Sequence, residues 1–123
     1  MESWILIIDD DAGTREALAD ILSRAGYRVA TSDGGPGLEA VLTACAYQAA
    51  VVDYHLPTVT GLMVARDLKE RQPGCRVLII SAELPAEACP VGADCLADGF
   101  LAKPFSKDAI LGELARLIAS GQT

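Results

Sequence analysis

Short apolar runs alternate with amphipathic stretches along the whole chain. Five runs are rich in aliphatic residues and predict β-strands at Trp4–Asp9, Tyr27–Thr31, Ala49–Asp53, Arg76–Ile80 and Phe100–Lys103. Between these runs, apolar residues recur every three or four positions, which is the spacing of one face of an α-helix. The chain is therefore predicted to alternate strand and helix from one end to the other.

The first two helices have recognisable start and stop signals. The first is predicted over Thr14–Ala25 and ends before Gly26, a residue type that is common just past a helix end. Ser32 or Asp33 is predicted to cap a second helix, because a short side-chain oxygen can accept from the free N–H groups there. This second helix is predicted to run to about Ala44.

Two further helices have clear start signals, and one segment resists a helical pattern. Thr60 is predicted to cap a helix that ends near Gln72, and Ser106 is predicted to cap the last helix. Leu84–Asp98 stands where a helix is expected, but Pro90 within it would interrupt helical hydrogen bonding. The fourth of five helices is therefore predicted to be short or irregular.

The alternation of strands and helices predicts a parallel sheet. Strands joined by helices of this length are linked by right-handed crossovers, which place helices on both faces. Ile5–Ile8 and Val77–Ile80 are continuously apolar, as strands buried on both faces are. The predicted fold class is α/β, with a five-stranded doubly wound sheet of flavodoxin-like order 2-1-3-4-5. In that order, ligands bind beyond the carboxyl ends of the first and third strands.

Polar residues stand at the ends of four of these apolar runs. In chain order they are Asp9 with Asp10, Asp53, Ser81 and Lys103. Because parallel strands have their carboxyl ends at one edge of the sheet, these residues are expected to converge there. Carboxylates, a hydroxyl and an ammonium group in one pocket suit a divalent cation and a phosphoryl group.

The bulk composition narrows the class of protein. With 123 residues, the chain is predicted to form a single domain, residues 1–123. Its net charge of −7 repels a phosphate backbone, so direct nucleic-acid binding is not expected. It lacks a stretch of about 20 apolar residues and a signal-peptide pattern, which predicts no membrane partner and a cytoplasmic location. The four cysteines lack the spacing of a zinc site and are expected to be reduced thiols.

Four short motifs contain all of these polar strand ends. They are Ile5-Leu-Ile-Ile-Asp-Asp-Asp11, Val51-Val-Asp-Tyr-His-Leu-Pro57 followed by Gly61, Ile79-Ile-Ser-Ala82, and Phe100-Leu-Ala-Lys-Pro-Phe105. In these motifs, their order and their spacing, the chain resembles the receiver domain of two-component response regulators over nearly its whole length. It is similar to the single-domain receivers of the chemotaxis type.

The resemblance implies a phosphoryl-transfer site at the sheet edge. In its motif, Asp53 matches the phosphoacceptor of the family. The residue type suits this role, because a carboxylate can take a phosphoryl group and form an aspartyl phosphate. The resemblance implies that Mg²⁺ (or Mn²⁺) is held by Asp10, by Asp53 and by the backbone carbonyl of His55. Asp9 matches the acidic position that acts through a metal-bound water.

The resemblance also implies which residues respond to phosphorylation. Lys103 would pair with Asp53 before phosphorylation and with a phosphoryl oxygen afterwards. Ser81 matches the hydroxyl residue that donates to another phosphoryl oxygen, and Phe100 matches the aromatic switch residue of the fifth strand. The Lys103-Pro104 peptide bond is expected to be cis, as it usually is in the family.

Some of these residues have simpler alternatives. Asp11 can be the cap of the first helix rather than part of the metal site. Phe100 can belong to the core. His55 can be an exposed surface residue rather than one that tunes the attack of water on the phosphoryl group.

The predicted function is that of a phosphoacceptor receiver domain. It would take its phosphoryl group from a histidine kinase or a phosphotransfer protein, and it would switch the binding of a downstream protein or output domain. It is not expected to be a turnover enzyme. One alternative is a receiver-like interaction module that is never phosphorylated, and another is a Mg²⁺-dependent phosphatase with an aspartyl nucleophile. The segment Leu84–Asp98 is a candidate for partner specificity.

Overall fold

The computed structural model describes residues 3–57, 59–82 and 97–120. The elements follow one another as β1 (Trp4–Ile8), α1 (Ala12–Arg24), β2 (Arg28–Ser32), α2 (Leu38–Leu42), β3 (Ala49–Asp53), α3 (Gly61–Arg71), β4 (Arg76–Ser81), β5 (Gly99–Ala102) and α4 (Lys107–Ser120). The short or irregular helix predicted within Leu84–Asp98 lies outside the described residues, except for Ala97 and Asp98. In the described part of the chain, no helix is long and apolar enough to cross a membrane.

The five strands form one parallel sheet in the order β2-β1-β3-β4-β5, which confirms the predicted fold class. The register aligns the carboxyl ends of the strands that carry the candidate site. Asp53 of β3 lies opposite Ile80 of β4, and Ser81 lies opposite Ala102, the residue before Lys103. The sheet therefore brings these polar positions to one edge.

Two apolar layers cover the sheet, one on each face. The layer with α1 and α4 receives Ile5 and Ile7 of β1, whereas the layer with α2 and α3 receives Leu6 and Ile8. None of these four side chains has any exposed surface. Burial on both faces explains why the central strands are continuously apolar and do not alternate with polar residues.

Three of the four described helices begin at the caps predicted from the sequence. Asp11 caps α1, because its Oδ2 accepts from the backbone N–H of Thr14 at 2.9 Å. Thr60 caps α3 in the same manner. Ser106 precedes α4, and its hydroxyl oxygen accepts from the backbone N–H of Ala109 at 3.0 Å. The interpretation of Asp11 as a helix cap is thus confirmed.

The prediction was wrong for the start of the second helix. Ser32 or Asp33 was expected to cap a helix that runs to about Ala44, but α2 covers only Leu38–Leu42 and its N-cap, Gly37, makes no side-chain hydrogen bond. The side chains of Ser32 and Asp33 instead accept from the backbone N–H groups two positions further along the chain. These local turns use the oxygens that a helix cap would have needed.

The strand ends differ from the predicted ones by one residue. β1 ends at Ile8 and β5 ends at Ala102. Asp9 and Lys103 therefore stand directly after their strands. Both still bond to the neighbouring strand, because the backbone N–H of Asp9 donates to the carbonyl of Ser32 and that of Lys103 donates to the carbonyl of Ser81.

The cysteines in the described part of the chain are free thiols, at Cys45 and Cys75. Cys75 is buried in the core, and burial raises the pKa of its thiol to about 12. The thiol of Cys75 is therefore protonated at neutral pH, and a protonated buried thiol is unreactive. The other two cysteines lie outside the described residues.

Candidate functional site

Three carboxylates meet at the carboxyl edge of the sheet. Asp9, Asp10 and Asp53 each offer an oxygen atom, and these atoms lie within 4.8 Å of one another. Asp9 and Asp53 are buried, whereas Asp10 is exposed. The cluster thus opens to solvent at Asp10 and extends into the protein at Asp53.

Asp9 is held by the protein on several sides. Its Oδ1 accepts from the backbone N–H of Asp11 at 2.9 Å, and its Oδ2 accepts from Nζ of Lys103 at 3.1 Å. Its own backbone N–H donates to the carbonyl of Ser32 at 3.1 Å. Both carboxylate oxygens of Asp9 therefore have protein partners, and its orientation is set before any ligand binds.

Asp53 is a buried carboxylate between opposite electrostatic influences. Its Oδ1 accepts from the backbone N–H of His55 at 3.3 Å, and its Oδ2 lies 3.6 Å from Nζ of Lys103. Burial raises the pKa of Asp53 and the negative charge of Asp9 raises it further, whereas the ammonium of Lys103 lowers it. The net result is a pKa above the usual value for an aspartate. A cation bound beside Asp53 would lower this pKa and favour the ionised form.

Lys103 connects the two buried carboxylates. Its Nζ forms ion pairs with Asp9 and with Asp53, and the hydrogen bond goes to Asp9. Its backbone N–H donates to the carbonyl of Ser81 at 2.8 Å, which positions the lysine beside the end of β4. Ser81 itself is fully buried. The peptide bond to Pro104 is cis, as predicted.

His55 and Phe100 lie in different surroundings. His55 is exposed and pairs with Thr60 in an isolated β-bridge. Its ring meets Tyr54 edge-on, with the ring centroids 5.0 Å apart. Phe100 is half-buried and packs against the apolar layer that contains α2 and α3. The histidine ring is thus solvent-accessible, whereas the phenylalanine ring is part of the packing between β5 and the core.

Gly61 contributes to the site in a way that sequence reasoning missed, although it was named as part of the motif that contains Asp53. A Cβ atom at Gly61 would lie 2.6 Å from the carbonyl oxygen of Asp53 and 2.9 Å from Cα of Tyr54. Only glycine therefore lets the start of α3 approach the backbone of Asp53 so closely. The available signal was its position directly after the helix cap Thr60.

Arg15 makes a second contact that sequence reasoning missed. Its Nη1 donates to the backbone carbonyl of Asp9 at 2.7 Å. Arg15 stands near the beginning of α1, where the helix dipole disfavours a positive charge. A basic residue at this unfavourable place was the signal in the sequence.

The cluster has the ligand chemistry of a hard divalent cation. Mg²⁺ and Ca²⁺ prefer carboxylate and carbonyl oxygens, and three carboxylates here face the single ammonium of Lys103. The resulting excess of negative charge favours a cation. It also opposes the approach of an anionic group to Asp53 unless that excess is neutralised.

A family model and the curated relatives agree on one class of protein. The model of the response regulator receiver domain matches residues 5–115. The probable transcriptional regulatory protein SilR of Salmonella typhimurium is 34% identical over 120 residues, which cover 97% of this chain and 52% of SilR. The chain spans about half the length of the curated relatives it matches.

Solved structures share the fold over nearly the whole chain. A receiver domain protein from Methanospirillum hungatei has a TM-score of 0.89 at 23% identity, covering 99% of this chain and 98% of that one. A response regulator protein from Burkholderia pseudomallei was solved with a phosphorylated aspartic acid, a calcium ion and citrate. It has a TM-score of 0.80 at 28% identity, covering 98% of this chain and 71% of that one.

Proposed function

The chain belongs to the family of response regulator receiver domains, and from this membership we propose that Asp53 accepts a phosphoryl group in a site that holds a divalent cation. Receiver domains are signalling domains of two-component systems. One observation carries the proposal: the oxygens of Asp9, Asp10 and Asp53 lie within 4.8 Å of one another, beside the ammonium of Lys103.

Mg²⁺, or Mn²⁺ in its place, is the cation that we assign to this cluster. Asp10 and Asp53 would supply carboxylate ligands, and the backbone carbonyl of His55 would supply a third protein ligand. Both oxygens of Asp9 are already engaged by hydrogen bonds, which favours a contact through a metal-bound water. The calcium ion in the Burkholderia pseudomallei response regulator supports cation binding in a relative of this fold.

The chemical step assigned to Asp53 is nucleophilic attack. A carboxylate oxygen of Asp53 attacks the phosphorus of a phosphohistidine, so that a P–O bond forms, the P–N bond breaks and the leaving imidazole takes up a proton. A bound cation supplies charge neutralisation while the two anionic groups approach each other. Lys103 would donate to one phosphoryl oxygen, and the hydroxyl of Ser81 would donate to another.

We infer that the phosphorylated state is read out through Ser81 and Phe100. Ser81 is buried at the end of β4, and Phe100 lies on the neighbouring strand β5, opposite Ile79. A shift of the Ser81 hydroxyl towards the phosphoryl group would change the space beside β5. The half-buried ring of Phe100 would then change its rotamer, and a partner that distinguishes the two ring positions would sense phosphorylation.

The partners follow from the same chemistry. The phosphoryl donor would be a histidine kinase or a phosphotransfer protein, and the readout would be a downstream protein or an output domain. Curated relatives named as response regulators are about twice as long as their match to this chain. The net charge of −7 disfavours nucleic acid as a partner of this domain itself.

Phosphorylation by a small donor tests the proposal. The protein incubated with Mg²⁺ and acetyl phosphate should gain the mass of one phosphoryl group, because the carboxylate of Asp53 can attack an acyl phosphate as it attacks a phosphohistidine. The gain should be absent in Asp53→Asn and after chelation with EDTA. Intact-protein mass spectrometry measures it.

The matched control for this experiment is Asp20→Asn. Asp20 is an exposed carboxylate in the second half of α1, where it pairs with Arg24, so its loss should leave the mass gain unchanged. A gain that persists in Asp53→Asn would contradict the assignment of the phosphoacceptor. A folded protein that gains no mass from any donor would indicate an interaction module that is never phosphorylated. Steady release of phosphate from a phosphomonoester would indicate a phosphatase.

A further inference from the structure

We propose that Arg15 is a positioning residue that sets the affinity of the cation site through the backbone of Asp9. The inference rests on the proposed function, because the cation is the one that assists phosphoryl transfer to Asp53. Arg15 belongs to α1 and is separated from the predicted ligands in sequence. It acts on them through a single backbone hydrogen bond.

The turn after β1 is held at three points. The backbone N–H of Asp9 donates to the carbonyl of Ser32 at 3.1 Å, and Oδ1 of Asp9 accepts from the N–H of Asp11 at 2.9 Å. The third contact comes from Nη1 of Arg15, which donates to the carbonyl of Asp9 at 2.7 Å in a partly buried position. It is the shortest of the three.

The carbonyl that Arg15 holds belongs to the peptide unit between Asp9 and Asp10. A peptide unit is planar, so fixing its carbonyl oxygen fixes the plane that contains Cα of Asp10. Among the described residues, no donor forms a hydrogen bond with the exposed carboxylate of Asp10. The Cα–Cβ bond from which this carboxylate projects is therefore set by the backbone, and the backbone is held in part by Arg15.

The positive charge of Arg15 is unfavourable both for a cation at the acidic cluster and for the dipole of α1. A guanidinium beside an acidic cluster repels a divalent cation, and a positive charge near the start of α1 opposes the helix dipole. An electrostatic role and a positioning role therefore predict opposite results when Arg15 is replaced. Loss of the charge alone would tighten cation binding, whereas loss of the hydrogen bond would weaken it.

Calorimetric titration with Mg²⁺ distinguishes the two roles. Arg15→Gln keeps a good helix former but has a side chain too short to reach the carbonyl of Asp9, so the affinity for Mg²⁺ should fall at least about tenfold, as it does when outer hydrogen-bond partners of metal ligands are lost. Arg15→Lys keeps the charge and one donor, and it should recover part of the affinity. Arg24→Gln removes the same charge from an exposed pair on α1 and should bind as the wild type does.

A second readout is the rate of phosphorylation by acetyl phosphate as a function of Mg²⁺ concentration. Arg15→Gln should need more Mg²⁺ for its half-maximal rate and should reach the wild-type rate at saturation, because Arg15 acts through cation binding and touches no reacting atom. Equal or tighter Mg²⁺ binding by Arg15→Gln would overturn the inference. So would a variant whose circular dichroism shows it unfolded, since the residue would then be structural. A wild type that binds no Mg²⁺ would instead refute the proposed function.

Discussion

At the scale of single residues, the site depends on backbone positions as much as on its carboxylates. The backbone N–H of His55 contacts Asp53, and the guanidinium of Arg15 holds the carbonyl of Asp9. The start of α3 lies against the carbonyl of Asp53, which is possible only because residue 61 is a glycine. Small changes at these positions should therefore alter the site without removing any ligand.

Gly61→Ala should destabilise the protein by about 2 kcal/mol, which is typical of a group forced into a packed region. The added Cβ would lie 2.6 Å from the carbonyl oxygen of Asp53, and a backbone atom cannot rotate away as a side chain can. The shifted backbone should also slow the proposed phosphorylation of Asp53 at saturating Mg²⁺. Urea unfolding measures the stability, and intact mass against time measures the rate.

Gly112→Ala is the matched control for this prediction. Gly112 lies on the exposed side of α4, and a Cβ built there has no neighbouring atom within 4 Å. Alanine is the better helix former by up to about 1 kcal/mol, so this change should stabilise the protein and leave the phosphorylation rate unchanged. If both alanine variants behaved alike, the close approach at Gly61 would not explain why glycine stands there.

At the scale of elements, Asp98 joins α3, β4 and the start of β5. Its carboxylate pairs with Lys69 of α3 at 2.6 Å and with Arg76 of β4 at 3.1 Å, and it accepts from the backbone N–H of Val77 at 2.8 Å. Burial by itself would raise the pKa of Asp98, but the hydrogen bonds from Lys69 and Val77 outweigh it, so the pKa lies below the usual value. The ionised carboxylate therefore stabilises the fold.

Asp98→Asn should lower the free energy of unfolding at neutral pH by about 2 kcal/mol, between the values for exposed and for buried ion pairs. Because the folded pKa is depressed, this stabilisation is complete above the unfolded pKa of about 3.9 and is lost as the pH falls from there through the folded pKa. The wild type should thus lose more stability in acid than Asp98→Asn does. Urea unfolding between neutral and acidic pH measures both effects.

Asp67→Asn is the matched control at this scale. Asp67 pairs with Arg71 one turn along α3, in a more exposed position than Asp98, and such helix pairs contribute less than about 0.5 kcal/mol. The control should therefore keep nearly the full stability and acid sensitivity of the wild type. Equal losses in the two variants would mean that Asp98 is an ordinary surface charge.

At the scale of the whole molecule, the buried carboxylates of the candidate site reduce the stability of the protein. Asp53 is buried near Asp9, and its pKa is raised mainly by that burial. When the pKa of a carboxyl is higher in the folded state than in the unfolded state, the protein loses stability as the pH rises from the unfolded pKa through the folded pKa. Above the folded pKa, the buried ionised carboxylate of Asp53 therefore lowers the stability of the fold, and a cation bound beside it would offset this loss.

Without divalent cations, Asp53→Asn should be more stable than the wild type at neutral pH by roughly 1 kcal/mol, a common gain when a functional group is neutralised. Mg²⁺ at a hundred times its dissociation constant should stabilise the wild type by about 2.7 kcal/mol, since it binds the folded state. It should affect Asp53→Asn far less, and EDTA should reverse the gain. Thermal unfolding with and without Mg²⁺ measures these differences, and equal Mg²⁺ effects on both proteins would contradict them.

Local sequence patterns determined most of the architecture and the identity of the polar strand ends. Aliphatic runs such as Ile5–Ile8 form central strands because burial on both faces demands them, and Thr60 and Ser106 cap helices because a cap needs only a neighbouring N–H. The same local reasoning failed for α2. Ser32 and Asp33 are suited both to cap a helix and to close a tight turn. The neighbouring sequence does not indicate which of these two roles they take.

Only the tertiary structure decided the contacts between residues far apart in the chain. Lys103 donates to Asp9 across 94 positions, and Gly61 lets the start of α3 lie against the backbone of Asp53. Both residues stand in motifs of the sequence, but the motifs did not indicate these two contacts. Such contacts depend on strand register and on the exact course of each turn, where a shift of an ångström makes or breaks a hydrogen bond. The sequence by itself thus determined which groups the site contains, and the folded structure decided how they are oriented.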